Sequence, residues 1–203
     1  KENKRFIDVD LNRCFPGNLE GNYEEKRAVE ILEKLKSSNY ILDMHSSSND
    51  CPLFGIIAKP NKEKIEFAKK LGLKRLVIMP PSFASGKALI DFVKCGISIE
   101  VGPHERKENV EEVLRLINNF AENKNYNKNM EIFEVFEVIK KNSSNIFIKN
   151  FQEVKREQDI AKGQMAKFDF IPVLVNEEAY GDVLCLAARR IDADNIYKRE
   201  ETK

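Results

Sequence analysis

The 203-residue sequence has almost no net charge, only two histidines, and four cysteines that never stand close together. It also lacks a long hydrophobic run. No stretch approaches the roughly 18 apolar residues of a membrane span, and no signal peptide is visible, so no membrane partner is expected. Lys plus Arg is 34 and Asp plus Glu is 33, a net charge of +1. That balance argues against a general nucleic-acid or polyanion binder. Cys14, Cys51, Cys95 and Cys185 form no C-x-x-C pair. Reduced thiols in a cytoplasmic protein fit this better than a disulfide frame or a cysteine zinc site. Internal repeats and low-complexity tracts are missing too. What is present is a composition 42% hydrophobic and 33% charged, that of a soluble globular chain with material for a real core.

The length allows one large domain, or a medium one with a small appendage. The first residue is Lys1 rather than Met, and the expectation is that the sequence starts inside a longer protein. Residues 5–9 read as a short strand leading into Asp10-Leu11-Asn12-Arg13, and Pro16-Gly17 marks a turn. Ala28, Ile31, Leu32 and Leu35 fall at helical spacing within 23–37. Residues 40–45, 53–58, 74–79 and 97–101 read as strands. Between them, Asn61 caps a helix that stops at Gly72, and residues 85–94 and 107–121 carry helical apolar patterns. Alternating strands and helices predict a three-layer α/β unit with a mostly parallel sheet. A polar stretch at 122–129 reads as a linker. Strand-like runs at 132–139, 146–148 and 170–175 follow it. The expected division is therefore an α/β catalytic domain over 1–125 and a small β-rich domain over 126–203.

Three marked polar sites lie at the ends of apolar runs: Asn12 with Arg13, His45, and Glu100. In a parallel sheet such ends gather on one edge, where open α/β sheets place their sites. Asp43 stands two residues before His45, near enough to orient its ring. Glu100 lies inside Ser98-Ile99-Glu100-Val101-Gly102-Pro103. A carboxylate within an apolar strand is costly unless paired or functional. Two readings stand about even: a buried salt bridge to Arg13 or Arg5, or a general base. Arg13 could clamp a carboxylate or be an ordinary solvated arginine. His104 reads as a rim residue.

Five motifs occur in series: Arg5-Phe6-Ile7-Asp8-Val9-Asp10-Leu11-Asn12-Arg13, Tyr23-Glu24-Glu25-Lys26-Arg27-Ala28, Leu42-Asp43-Met44-His45-Ser46, Ile99-Glu100-Val101-Gly102-Pro103, and Pro172-Val173-Leu174-Val175-Asn176-Glu177-Glu178-Ala179-Tyr180. In this order they resemble the aspartoacylase / succinylglutamate desuccinylase family, and its aspartoacylase branch more closely. The resemblance implies a zinc-carboxypeptidase-like α/β domain carrying a small β domain. It also implies hydrolysis of the amide of an N-acyl amino acid, at a Zn2+ held by two His and one Glu. On the same basis His45 resembles a zinc ligand, Glu100 the base that activates water, and Arg5 the cation that polarises the acyl carbonyl. Asn12 and Arg13 resemble the pair that holds the substrate carboxylate, and Tyr180 a tyrosine lowered into the mouth.

Two departures matter. The family's H-x-x-E motif, source of two ligands, is not found here, and the expectation is that a segment of roughly 30 or more residues carrying it lies outside this sequence. The arginine and tyrosine that aspartoacylases place before the Ile-Glu-Val motif are replaced by Ser82-Phe83-Ala84-Ser85-Gly86-Lys87-Ala88-Leu89. The expected function is a zinc-dependent amidohydrolase of an N-acyl amino acid. The alternatives are a carboxypeptidase-like peptidase and a non-catalytic binding module for an acidic ligand. The expected partner is that small molecule, with no nucleic acid, and assembly with copies of itself is left open.

Overall fold

Asn22 starts the first helix by a reciprocal exchange: its side chain accepts from Glu25 N (2.9 Å), and Glu25 Oε2 accepts from Asn22 N (2.9 Å). That helix, α1, is Tyr23–Leu35. The structure, a computed structural model, describes residues 6–80, 86–124 and 126–201, with side chains through residue 198. Along the chain follow β1 (Ile41–Ser47), β2 (Phe54–Ala58), α2 (Lys62–Leu71), β3 (Arg75–Met79), β4 (Gly96–Pro103) and α3 (Asn109–Ala121). Then come β5 (Glu131–Lys140), β6 (Asp159–Ala161), β7 (Gln164–Met165), β8 (Ile171–Val173), β9 (Val183–Ile191) and α4 (Ala193–Glu201). The start and stop of α2 are those read from sequence. Asn61 accepts from Lys64 N, and Gly72 closes the helix in the left-handed conformation.

Seven strands form one sheet in the order β1-β4-β2-β3-β5-β9-β8, and β6 and β7 pair separately. The expected mostly parallel sheet is corrected to a mixed one. β1/β4, β2/β3 and β3/β5 are parallel, whereas β2/β4, β5/β9 and β8/β9 are antiparallel. The reason is loop length. Only residues 48–53 join β1 to β2, too few for the crossover of a dozen or more residues that parallel strands require. β2 therefore turns straight back, and it starts beside the end of β4, with Phe54 opposite Glu100. Beyond the expected boundary, β5, β9 and β8 continue the same sheet from β3. Asn127 ties that boundary down, donating from N to Lys69 O (3.0 Å) and from Nδ2 to Leu73 O (2.8 Å).

Side chains alternate across the strands. Ile97, Ile99 and Val101 of β4 face α2, α3 and α4, packing with Ile65, Leu71, Leu116 and Ile196. Ser98 and Glu100 face the other way. A second core on that opposite side joins Phe54, Val77, Phe133, Val173 and Leu186, and a third gathers Ile148, Val154, Ile160 and Leu184 in the C-terminal part. Fully burying one such aliphatic side chain is worth about 1.5–3 kcal/mol, so these clusters fix the frame on which the site is built.

Three local expectations are corrected. Residues 7–9 form a bend, not a strand, because the N–H groups of Ile7 and Asp8 donate to the buried Glu24 carboxylate (2.6 and 3.2 Å) instead of a neighbouring strand. The helix expected over 85–94 is, among the described residues, a single 3-10 turn at Leu89–Asp91. There Asn12 Oδ1 takes the Leu89 N–H and Asp91 Oδ2 takes the Ala88 N–H, and such side-chain bonds compete with helix. The strand expected at 146–148 is an isolated bridge between Ile146 and Ala161.

Candidate active site

Asn12 and Arg13 are set by a 3-10 turn, Leu11–Arg13, whose cap is Asp10 (Oδ1 accepts from Asn12 N at 3.0 Å). Glu24 of α1 anchors the approach to that turn. Burial works against its charge, but the backbone N–H groups of Ile7 and Asp8 outweigh that and hold the carboxyl below its usual range. Arg13 Nη1 donates to Asn12 O (2.8 Å). Asn12 commits its side-chain oxygen to Leu89 N (2.8 Å), so Nδ2 is the end it can offer to an anion.

His45 and Glu100 are register partners in the parallel pair β1/β4. Asp43 shares their face, as a residue two positions before His45 must. Its Oδ2 accepts from His45 Nε2 (2.8 Å) and from Ser98 Oγ (3.0 Å). A carboxylate only accepts, so Nε2 carries the proton, and in the neutral ring Nδ1 holds the lone pair. Glu100 is 9% exposed. Two residues on, Gly102 has φ +113, and a Cβ there would lie 3.2 Å from Cys51 O. Glycine is required both for the turn and for the close approach.

Tyr180 arrives from the C-terminal part on a 3-10 turn, Glu178–Tyr180. Glu177, also 9% exposed, holds that turn in place. Its carboxylate accepts from Ser48 N (3.0 Å) and Ser48 Oγ (2.8 Å), while Glu178 N donates to Ser48 Oγ (2.9 Å) and Asn49 Nδ2 donates to Asn176 O. Burial, with the carboxylates of Glu100 and Glu177 nearby, pushes the Tyr180 phenol up to about 12; the Arg13 guanidinium, hydrogen-bonded to it, pulls the other way. Tyr180 is thus a neutral O–H donor at neutral pH. Burial, then Glu100 and Glu177, likewise push the Cys51 thiol up, so it stays uncharged.

These side chains line one cavity of about 110 Å³. Asn12, Arg13, His45, Glu100 and Tyr180, all singled out from sequence, stand on its wall. Arg5 lies outside the described residues. His104 is on the wall as well, with Nδ1 2.7 Å from Ser46 Oγ. Sequence reasoning missed Glu177 and the apolar floor. Glu177 was in plain view inside the Asn-Glu-x-Ala-Tyr segment, but its partner lies 129 residues away. A catalytic zinc needs three protein ligands. Among the described residues, no group of three His, Cys, Asp or Glu is arranged to hold a metal. Those residues by themselves do not fit the ion.

The fold and this wall define a mixed α/β sheet whose pocket holds a buried carboxylate, Glu100, and an arginine, Arg13. The chain belongs to the succinylglutamate desuccinylase/aspartoacylase catalytic domain family, whose model matches residues 1–122. A probable aspartoacylase of Acaryochloris marina is 32% identical over 116 residues, covering 51% of this chain and 39% of the relative. The N-acyl-aromatic-L-amino acid amidohydrolase (carboxylate-forming) B of Danio rerio is 30% identical over 123 residues, with the same two shares. The matched stretch therefore spans about two fifths of either relative. Murine aminoacylase 3 superimposes with a TM-score of 0.69 at 18% identity, covering 92% of this chain and 78% of that one. The succinylglutamate desuccinylase/aspartoacylase of Rhodobacter sphaeroides gives 0.67 at 16%, covering 91% and 68%. Those two likenesses establish a shared fold.

Proposed function

We propose that this protein is an amidohydrolase that splits an N-acyl amino acid into a carboxylic acid and the free amino acid. The observation that carries this reading is the convergence of Arg13, Tyr180, His45 and the buried Glu100 on one cavity. Arg13 and the Asn12 amide nitrogen hold the substrate's carboxylate, a match of fork to fork. Glu100 takes a proton from the attacking water as its oxygen bonds to the acyl carbon. It then delivers that proton to the amine nitrogen as the C–N bond breaks. By the family resemblance Arg5, outside the described residues, would steady charge on the carbonyl oxygen, and the neutral Tyr180 O–H donates at the mouth. His45, whose Nε2 donates to Asp43, would supply one ligand to the zinc that the family resemblance implies, with the remaining ligands coming from outside the described residues.

Residues 1–125 act as the catalytic part in this scheme, and 126–203 as the part that brings Glu177 and Tyr180 over it. The substrate is a small molecule met in the cytoplasm. The names borne by the relatives, probable aspartoacylase and N-acyl-aromatic-L-amino acid amidohydrolase, support the class. The test is amine release from a panel of N-acetyl amino acids, with zinc supplied, by the protein expressed from its complete gene. Release above a zinc-only blank from at least one of them is expected. None from any of them ends this reading.

A further inference from the structure

The cavity changes character along the strands. Its floor is one face of the sheet, shared by Ser98 and Glu100 of β4, Ile56 and Ala58 of β2, and Met79 of β3. Phe54 is opposite Glu100 and Ile56 opposite Ser98. At about 3.3 Å per residue, Ile56 lies roughly 7 Å and Ala58 roughly 13 Å along from the Glu100 row. Over that distance the wall turns apolar. Ile56, Ala58 and Met79 are joined by Ala88 and Ile90, all of them buried.

Charge is uneven in the same sense. Arg13 is the one Lys or Arg on the wall among the described residues, against the carboxylates Asp91, Glu100 and Glu177. Asp91 stands at the apolar end, where its Oδ2 accepts from Ala88 N (3.0 Å). Lys59 is nearby but off the wall. Its Nζ donates to Asp91 O (3.1 Å) and lies 6.0 Å from the centre of the Phe92 ring.

Resting on the reading of the site as one for N-acyl amino acids, we infer that the substrate carries a single carboxylate, at Arg13, and an apolar group in the arm lined by Ile56, Ala58, Met79 and Ile90. The substrate class is an N-acyl amino acid with an aliphatic or aromatic side chain, not a dicarboxylate such as N-acetylaspartate. A second carboxylate in that arm would lose its water, find no Lys or Arg on the arm's wall among the described residues, and share that wall with Asp91. An aromatic or branched group there exchanges water for buried methyl and methylene surface.

Binding tests this without turnover. Isothermal titration of the protein expressed from its complete gene, kept free of zinc by a chelator, with N-acetyl-L-phenylalanine, N-acetyl-L-leucine and N-acetyl-L-aspartate should give Kd values at least ~10-fold lower for the first two. All binding should be lost in Arg13→Ala. Met79→Lys, which sets a cation in the arm, should narrow or invert the ranking. N-acetylaspartate binding as tightly as the apolar ligands, or tighter, overturns the inference and leaves the amidohydrolase reading standing. Binding of none of the three, or binding indifferent to Arg13→Ala, overturns that reading and the inference with it. The wild-type ranking decides the matter even where Met79→Lys fails to fold.

Discussion

Glu177→Ala removes the carboxylate that receives both hydrogen-bond donors of Ser48, at 3.0 Å from the backbone N–H and 2.8 Å from the hydroxyl. Hydrogen bonds to a charged group are worth about 1.5–3 kcal/mol each. Ser48 is only half-buried, so water replaces part of what is lost. The expected cost is about 1.5–3 kcal/mol, or roughly 3–10 °C in melting temperature for a chain of this size. The damage should not stop at stability. Tyr180 N donates to Glu177 O (3.0 Å), so the turn carrying Tyr180 hangs on the same residue. Loosening it should weaken ligand binding at Arg13. Ser48→Ala keeps the backbone bond and should cost about half as much. The double variant should lose less than the sum of the singles, by about 0.5–3 kcal/mol, because the two residues share one interaction. The assay is thermal and urea unfolding of all four proteins at pH 7, with ligand affinity alongside. A Glu177→Ala protein that melts within about 1 °C of wild type and binds ligand equally well would refute the argument.

Three further outcomes are expected. Burial raises the thiols of all four cysteines, Cys95 to about 11 and Cys185 to about 12; native protein at pH 8 should resist alkylation, with four thiols reacting in urea, and one that reacts fast in the native state would contradict this. Tyr180 is raised to about 12 from an ordinary 10, so its neutral form stabilises the fold fully below about pH 10 and that contribution fades as pH climbs towards 12; the stability difference between wild type and Tyr180→Phe should shift across that window, and parallel curves from pH 9 to 12 would refute it. Zinc should bind the 203-residue chain weakly and without fixed stoichiometry, given one ligand where three are needed; a single tight site dependent on His45 in a calorimetric titration would be the contrary result.

The His45–Glu100 end of the cavity was legible because strands advertise themselves. Ile41-Leu42 and Ile97-Ser98-Ile99 are short apolar runs, and His45 and Glu100 stand where those runs give out, so each is conspicuous locally. Strand direction placed both ends on one edge of the sheet; that β1 and β4 are neighbours, with His45 opposite Glu100, came only with the fold. Other features depend on partners far along the chain. The bend at 7–9 is decided by Glu24, and the shortening of the helix expected over 85–94 to one 3-10 turn by Asn12, neither visible in a local apolar pattern. The reversal of β2 could have been found by counting the six residues between β1 and β2. Glu177 resisted detection because an acidic residue next to another, Glu178, reads as surface until the Ser48 loop is folded against it. The continuity of the sheet through β5 was hidden by the polar composition of 122–129, whose Asn127 is in fact bonded back to Lys69 and Leu73.

Glu100 separates a hydrolase from a binding pocket, and one variant reads the difference. In the protein expressed from its complete gene, with zinc supplied, Glu100→Gln keeps the shape of the side chain and removes the base. The kcat for amine release from an N-acyl amino acid should fall by about 10²–10⁴-fold or more, with the melting temperature little changed. If Glu100 serves instead as the partner of a buried arginine, the same change strands that charge at a cost of roughly 3–5 kcal/mol. A variant that melts far earlier yet turns over at a near wild-type rate in the cold would contradict the base assignment.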